Sequence, residues 1–106
     1  MNKKSIQIAK STIAIEIEAL RLMSERLGEE FQSAVEIITA SSGRVAVLGM
    51  GKSGIIAKKI AATLASTGTT AFFVHPAEAF HGDLGMIQKD DVVLMISNSG
   101  ETEEII

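Results

Sequence analysis

Apolar residues recur at helical spacing through the first forty positions of the chain, and short strand-like runs alternate with a helical pattern thereafter. Ile6, Ile13, Ile17, Leu20, Leu27 and Phe31 fall near a period of about 3.6 residues. Glu16, Glu18, Glu25 and Arg26 lie largely off that stripe, as an amphipathic helix requires. Gly28 is expected to break or bend the helix. Phe31, Ala34, Val35 and Ile38 continue a second amphipathic segment, which ends at Ser41-Ser42-Gly43. Two readings of this region stand open: a pair of helices packed on their own sheet, or a helical arm in a subunit interface.

From Arg44 onward strands and helices alternate. Val45-Ala46-Val47-Leu48 is a short continuous apolar run, the kind buried on both faces in a parallel sheet. A glycine loop follows, then a helix expected to carry Ile56, Ile60 and Leu64 on one side, with Gly68 placed to cap its C-terminus. Ala71-Phe72-Phe73-Val74 makes a second strand. Residues 76–89 form a polar, glycine-containing connection. Val92-Val93-Leu94-Met95-Ile96 makes a third strand, introduced by Asp90-Asp91. This order predicts an α/β fold, an open parallel sheet with right-handed crossovers and flanking helices. Residues 102–106 read as the start of a further helix. The expected division is an N-terminal helical arm over 1–43 and an α/β unit over 44–106, which is apparently truncated.

Composition narrows the function classes. Apolar residues make up 46% and aromatic ones 4%, which describes an aliphatic core. Ten Lys and Arg against thirteen Asp and Glu give a net charge of -3 with no basic cluster, which argues against nucleic acid or an anionic membrane as partner. The absence of cysteine excludes a disulfide scaffold or zinc ribbon and fits a reducing, cytoplasmic setting. Lys3 and Lys4 are not followed by a sustained apolar run, so no signal peptide is expected. The uncharged stretch from Ile60 to Ala77 is interrupted by a helix end and a turn.

Two loops carry the candidate chemistry. Gly49-Met50-Gly51-Lys52-Ser53-Gly54 joins a strand to a helix, where glycines permit a tight turn and the helix start offers N–H groups and a positive dipole end to an anion. A Walker A loop is excluded, because that pattern needs glycine where Ala46 stands. The dinucleotide fingerprint is matched formally, but it also wants an acid closing the second strand, and Val74-His75-Pro76 stands there. A sugar-phosphate loop is the third reading, with Ser53 as phosphate ligand and Lys52 as a charge or acid–base group. Close packing of helix on strand would equally account for the glycines. Ser97-Asn98-Ser99-Gly100-Glu101-Thr102 repeats the arrangement after the third strand and is either a second anion nest or an ordinary helix cap. With strand order 2-1-3 the first and third strands are neighbours, and both loops flank one crevice. One phosphate held by Ser53, Ser97, Ser99 and Thr102 then accounts for both motifs.

The second loop resembles the S-x-S-G-x-T phosphate loop of sugar-phosphate isomerase (SIS) domains, whose fold is flavodoxin-like, and Ser53 falls where that family's first loop supplies a hydroxyl. His75-Pro76-Ala77-Glu78-Ala79-Phe80-His81-Gly82-Asp83-Leu84-Gly85-Met86 narrows the likeness to the D-arabinose-5-phosphate isomerases. The resemblance implies that residues 44–106 are the first half of a SIS domain. It implies a phosphorylated sugar as partner, bound through Gly51, Ser53, Ser97, Asn98, Ser99 and Thr102, and it implies no cofactor. The implied activity is aldose–ketose isomerisation of D-ribulose 5-phosphate and D-arabinose 5-phosphate, feeding Kdo and lipopolysaccharide synthesis. Homo-oligomers, commonly tetramers, and a following pair of CBS domains also go with the family.

Such an isomerisation needs a base for the proton next to the carbonyl and a cation or acid for the enediolate. The likeness points to Lys52, Glu104 and His81 as catalytic, although Glu103 and Glu104 both suit a helix's first turn by macrodipole. Further catalytic groups of the family come from the second half of the domain. His75, Glu78, His81 and Asp83 match no standard metal signature. No metal is expected, His75 and His81 being the nearest to candidates, and His75 reads as a structural histidine at a strand end. Two other classes stay open: a non-catalytic sugar-phosphate-binding module, and another phosphosugar isomerase of the same fold. A regulator would carry a recognition helix, which the acidic N-terminal helices do not offer.

Overall fold

The computed structural model describes residues 3–77 and 86–98. The chain divides into two compact units, Met1–Val35 and Glu36–Ile106.

In the first unit, α1 runs over Lys4–Arg26. Arg21 sits between Glu18 and Glu25 and pairs with both, the i±3/i±4 arrangement that supports an exposed helix. Leu27 turns to extended backbone (φ -67, ψ 128) and ends the helix. The Gly28 carbonyl then accepts the Gln32 N–H and opens α2, Glu29–Ala40, whose first turn carries Glu29 and Glu30. Acids at that end complement the helix dipole. The break falls where the sequence placed it. No residue of α1 is buried.

The second unit is built on β1, Val45–Gly49, whose five residues are all buried. Parallel β2, Ala71–Val74, pairs with one edge of β1 and parallel β3, Val92–Ile96, with the other, giving the order β2-β1-β3. This is the expected 2-1-3 sheet, with the second and third strands bounded as predicted. Alternation sends Val45 and Val47 to one face. There they meet α3, Gly51–Ser66, with Phe73 and Leu94 from the flanking strands and Ile38 from the end of α2. Ala46 and Leu48 go to the other face, with Val74, Phe72 and Ile87.

The helix α3 differs from expectation in one respect. Its buried positions are Gly54, Ala57 and Ala61; Ile60 and Leu64 pack beside them, while Ile56 is 54% exposed. The innermost line is small because α3 lies close on the sheet, so the larger residues go to its flanks. Gly68 adopts φ +102 and closes a Schellman cap, with its N–H on Ala65 O and the Thr69 N–H on Leu64 O.

The amino edge of the sheet is held by a polar clamp. The Asp91 carboxylate, 1% exposed, accepts the Arg44 backbone N–H at 2.9 Å, the Arg44 Nη2 at 2.8 Å and the Gln88 N–H at 2.8 Å. Arg44 also donates to the Met86 carbonyl and lies over the Phe72 ring, 4.4 Å from its centroid. One ion pair therefore ties the starts of β1 and β3, the turn before β3 and a side chain of β2. Hydrogen bonds from the Arg44 guanidinium, then from the Gln88 and Arg44 amides, lower the Asp91 pKa from 3.8 to about 2.

Because the folded state binds this proton less readily than the unfolded chain, the clamp stabilises the fold above about pH 4, and that contribution is lost as pH falls toward 2. Denaturant titrations across that window should show wild-type stability falling more steeply than that of Asp91→Asn. The variant should be the less stable of the two at neutral pH. Parallel curves would mean that Asp91 is not clamped.

Candidate functional site at the carboxyl edge of the sheet

Gly49 of β1 is the register partner of Ile96 of β3. The next residues, Met50 and Ser97, therefore leave adjacent parallel strands, whose spacing is about 4.8 Å. The two loops read as anion sites thus begin side by side at the carboxyl edge, where open α/β sheets bind ligands. On the other side, Leu48 pairs with Val74, which sets His75 level with Gly49.

The three glycines of the first loop divide the work. A Cβ on Gly49 would stand 2.6 Å from the Ser53 carbonyl oxygen, and one on Gly54 would stand 2.8 Å from the Gly49 carbonyl oxygen. These two are glycines because strand end and helix start touch backbone to backbone. Gly51 is different. It has φ +58, a conformation that favours glycine, and a Cβ there would meet nothing within 4 Å. It turns the chain sharply and leaves open space above the turn. The packing and ligand readings of this loop are therefore both served, by different glycines.

Met50 is extended at the N-cap of α3 and makes no side-chain cap bond, and no acid stands in the first turn. The cap residue therefore offers no side-chain acceptor to the first amides of the helix. Lys52 is exposed and Ser53 half-buried in that turn. A lysine at the positive end of a helix opposes the macrodipole, the reverse of the Glu29–Glu30 start of α2. The helix dipole therefore does not favour Lys52 at this position.

Gly51, Lys52, Ser53, Ser97 and Asn98 are thus brought to one edge, Ser97 half-buried and Asn98 exposed. Ser99, Thr102, Glu104 and His81 lie outside the described residues, as do Glu78 and Asp83. His75 is half-buried, and its Nδ1 accepts the Ala77 N–H at 3.1 Å, which gives it a structural bond at the strand end. No group of three or more His, Asp or Glu among the described residues is placed to hold a metal, and none of their helices is long and apolar enough to cross a membrane. What the sequence did not disclose was the separate role of Gly51, since a positive φ leaves no mark in a run of three glycines.

Residues 38–106 match the SIS domain family. The chain belongs to the SIS family. Arabinose 5-phosphate isomerase KdsD of Pseudomonas aeruginosa is 59% identical over 105 residues, covering 99% of this chain and 32% of that protein. Arabinose 5-phosphate isomerase GutQ of Escherichia coli K12 is 53% identical over 105 residues, covering 99% of this chain and 33% of that protein. A solved SIS relative from E. coli CFT073, in complex with arabinose 5-phosphate, superposes with a TM-score of 0.90 at 50% identity, over 99% of this chain and 56% of that one. The chain spans about a third of the length of these curated relatives.

The division among the glycines of this SIS loop is testable by substitution. Gly49→Ala and Gly54→Ala should each destabilise the fold by about 1–3 kcal/mol, the usual cost of overpacking. Gly51→Ala should cost only the left-handed backbone, about 1 kcal/mol, and Gly51→Asn less. Equal losses at all three positions, read by denaturant melts, would contradict the assignment. Lys52→Glu should stabilise the ligand-free chain by about 0.5 kcal/mol through the helix dipole.

Proposed function

We propose that this chain carries the phosphate-binding half of an arabinose-5-phosphate isomerase, interconverting D-ribulose 5-phosphate and D-arabinose 5-phosphate. The carrying observation is the juxtaposition of the loops after β1 and β3, set by the Gly49–Ile96 register, in a chain whose relatives are named for that activity. The substrate phosphate sits at the start of α3 against Gly51 and Ser53, and is closed in by Ser97, Asn98, Ser99 and Thr102. Its dianion answers the amides at the start of α3, which leaves Lys52 for the sugar.

Held there, the sugar extends over the carboxyl edge of the sheet. A base removes the proton from the carbon beside the carbonyl and the carbonyl oxygen gains the charge of the enediolate; the proton then returns to the former carbonyl carbon while the hydroxyl proton passes to the charged oxygen, so that carbonyl and hydroxyl exchange places. Lys52 faces that oxygen as the stabilising cation, Glu104 serves as base or positions the substrate, and His81 assists ring opening or proton movement. Residues 44–106 act as the front half of the domain in this reading. Homo-oligomeric assembly, a cytoplasmic setting and a place in the supply of Kdo to lipopolysaccharide follow from the same likeness.

Calorimetric titration of the chain with arabinose 5-phosphate tests the reading. Saturable heat is expected, absent with NAD and weakened roughly 10-fold or more in Ser53→Ala, the loss of one hydrogen bond to a charged group. Lys52→Glu should weaken binding while the fold gains stability. A folded chain that gives no heat, or one whose affinity ignores Ser53, would count against the shared phosphate site.

A further inference from the structure

His75 closes β2 at the carboxyl edge, and its imidazole is committed on one side. Its Nδ1 accepts the Ala77 N–H at 3.1 Å, so that nitrogen carries no proton and the neutral ring holds its proton on Nε2. Among the described residues none accepts the Nε2–H. A backbone bond therefore fixes the tautomer of a half-buried imidazole and turns its one donor away from that bond.

Two registers place this donor. Leu48 pairs with Val74, which sets His75 beside the end of β1. Phe73 packs on the α3 face of the sheet, and a Cβ on Gly54 would stand 3.8 Å from its ring. Pro76 confines the residue before it to extended backbone, so the alternation of β2 carries through His75 and puts it on the same face as Phe73. Two strand residues advance about 6.6 Å, the rise of about four residues of a helix. Because α3 runs back from the carboxyl edge, the neighbour of His75 is the Met50–Gly51 turn, four residues before Gly54. The imidazole and the first loop share one corner of the edge, on the side of β1 away from β3.

Chemistry chooses the ligand atom. In dinucleotide folds the second strand closes with an acid, which accepts from the ribose hydroxyls. His75 presents a donor at that place instead. A phosphate dianion consists of acceptors alone, so a donor held in one tautomer complements it. A sugar hydroxyl makes no such demand, since it donates or accepts.

We propose that His75 is a further phosphate ligand of this site: with Nδ1 held by Ala77, it donates its Nε2–H to a phosphate oxygen of the bound sugar phosphate, from the β2 side and opposite Ser97. The proposal rests on the sugar-phosphate reading and adds a neutral donor to it.

Titration of the full chain with inorganic phosphate and with arabinose 5-phosphate, followed through the imidazole nitrogen resonances, tests this. The ring nitrogens of His75, assigned by their loss in His75→Asn, should show the Nε2–H tautomer in the free chain, and Nε2 should shift with either ligand. The Nδ1–H tautomer, or an Nε2 that ignores both ligands, would overturn the proposal. His75→Asn keeps an acceptor for the Ala77 N–H and removes the Nε2–H. It should weaken both ligands roughly 10-fold while thermal melts match the wild type. His75→Gln, whose amide reaches the Nε2 position, should recover most of that affinity. A purely structural histidine would leave affinity unchanged in His75→Asn, and a contact to the sugar would weaken arabinose 5-phosphate alone; either result overturns the assignment. Binding lost in Ser53→Ala but kept in His75→Asn would leave the phosphate site standing without His75, whereas a folded chain that binds neither ligand would remove both.

Discussion

The backbone contact between Gly49 and the first turn of α3 is the constraint on which the second unit rests. A strand buried on both faces cannot turn back toward solvent gradually; it must end against the helix that covers it. Here it does so with carbonyl oxygens 2.6 and 2.8 Å from where Cβ atoms would stand. That contact fixes where α3 begins, and the start of α3 fixes where its free amides point. The direction of the first amides of α3 is thus a by-product of how tightly the crossover closes, and Lys52 stands beside them against the preference of the helix itself.

The two ends of the sheet are treated differently. At the amino edge two charged groups are tied into one clamp: Asp91 takes bonds from Arg44 and Gln88, and Arg44 also reaches Met86 and Phe72. At the carboxyl edge the α3 cap is left without a side-chain bond. A fold stabilised at one edge can carry an adverse charge and a helix start without a side-chain cap at the other.

Much of this architecture was legible in the sequence because its signals are local. Three apolar runs, Gly68 and the break near Gly28 each act within a few residues, and the 2-1-3 order is expected because it sets both glycine-bearing loops on one crevice. The parts not legible depend on distance. Arg44 and Asp91 are far apart in the chain, and Asp91 read only as the start of a strand. Ile56 obeys helical periodicity yet is exposed, because the closeness of α3 to the sheet reserves the innermost line for Gly54, Ala57 and Ala61. At the site, Lys52 and Ser53 stood out by residue type in a glycine turn, whereas the division of roles among the glycines is a matter of backbone geometry alone.

That line of small residues has a consequence for the crevice itself. Gly54, Ala57 and Ala61 act as spacers that set the height of α3 above the sheet, and the helix is stiff over that length. A larger residue at Ala57 or Ala61 would lift the helix as a lever and carry its first turn away from Ser97. The width of the crevice is therefore encoded one and two turns below it, in positions that touch no ligand. Homologous chains that alter those spacers would change the gap between the two loops while keeping the same loop residues.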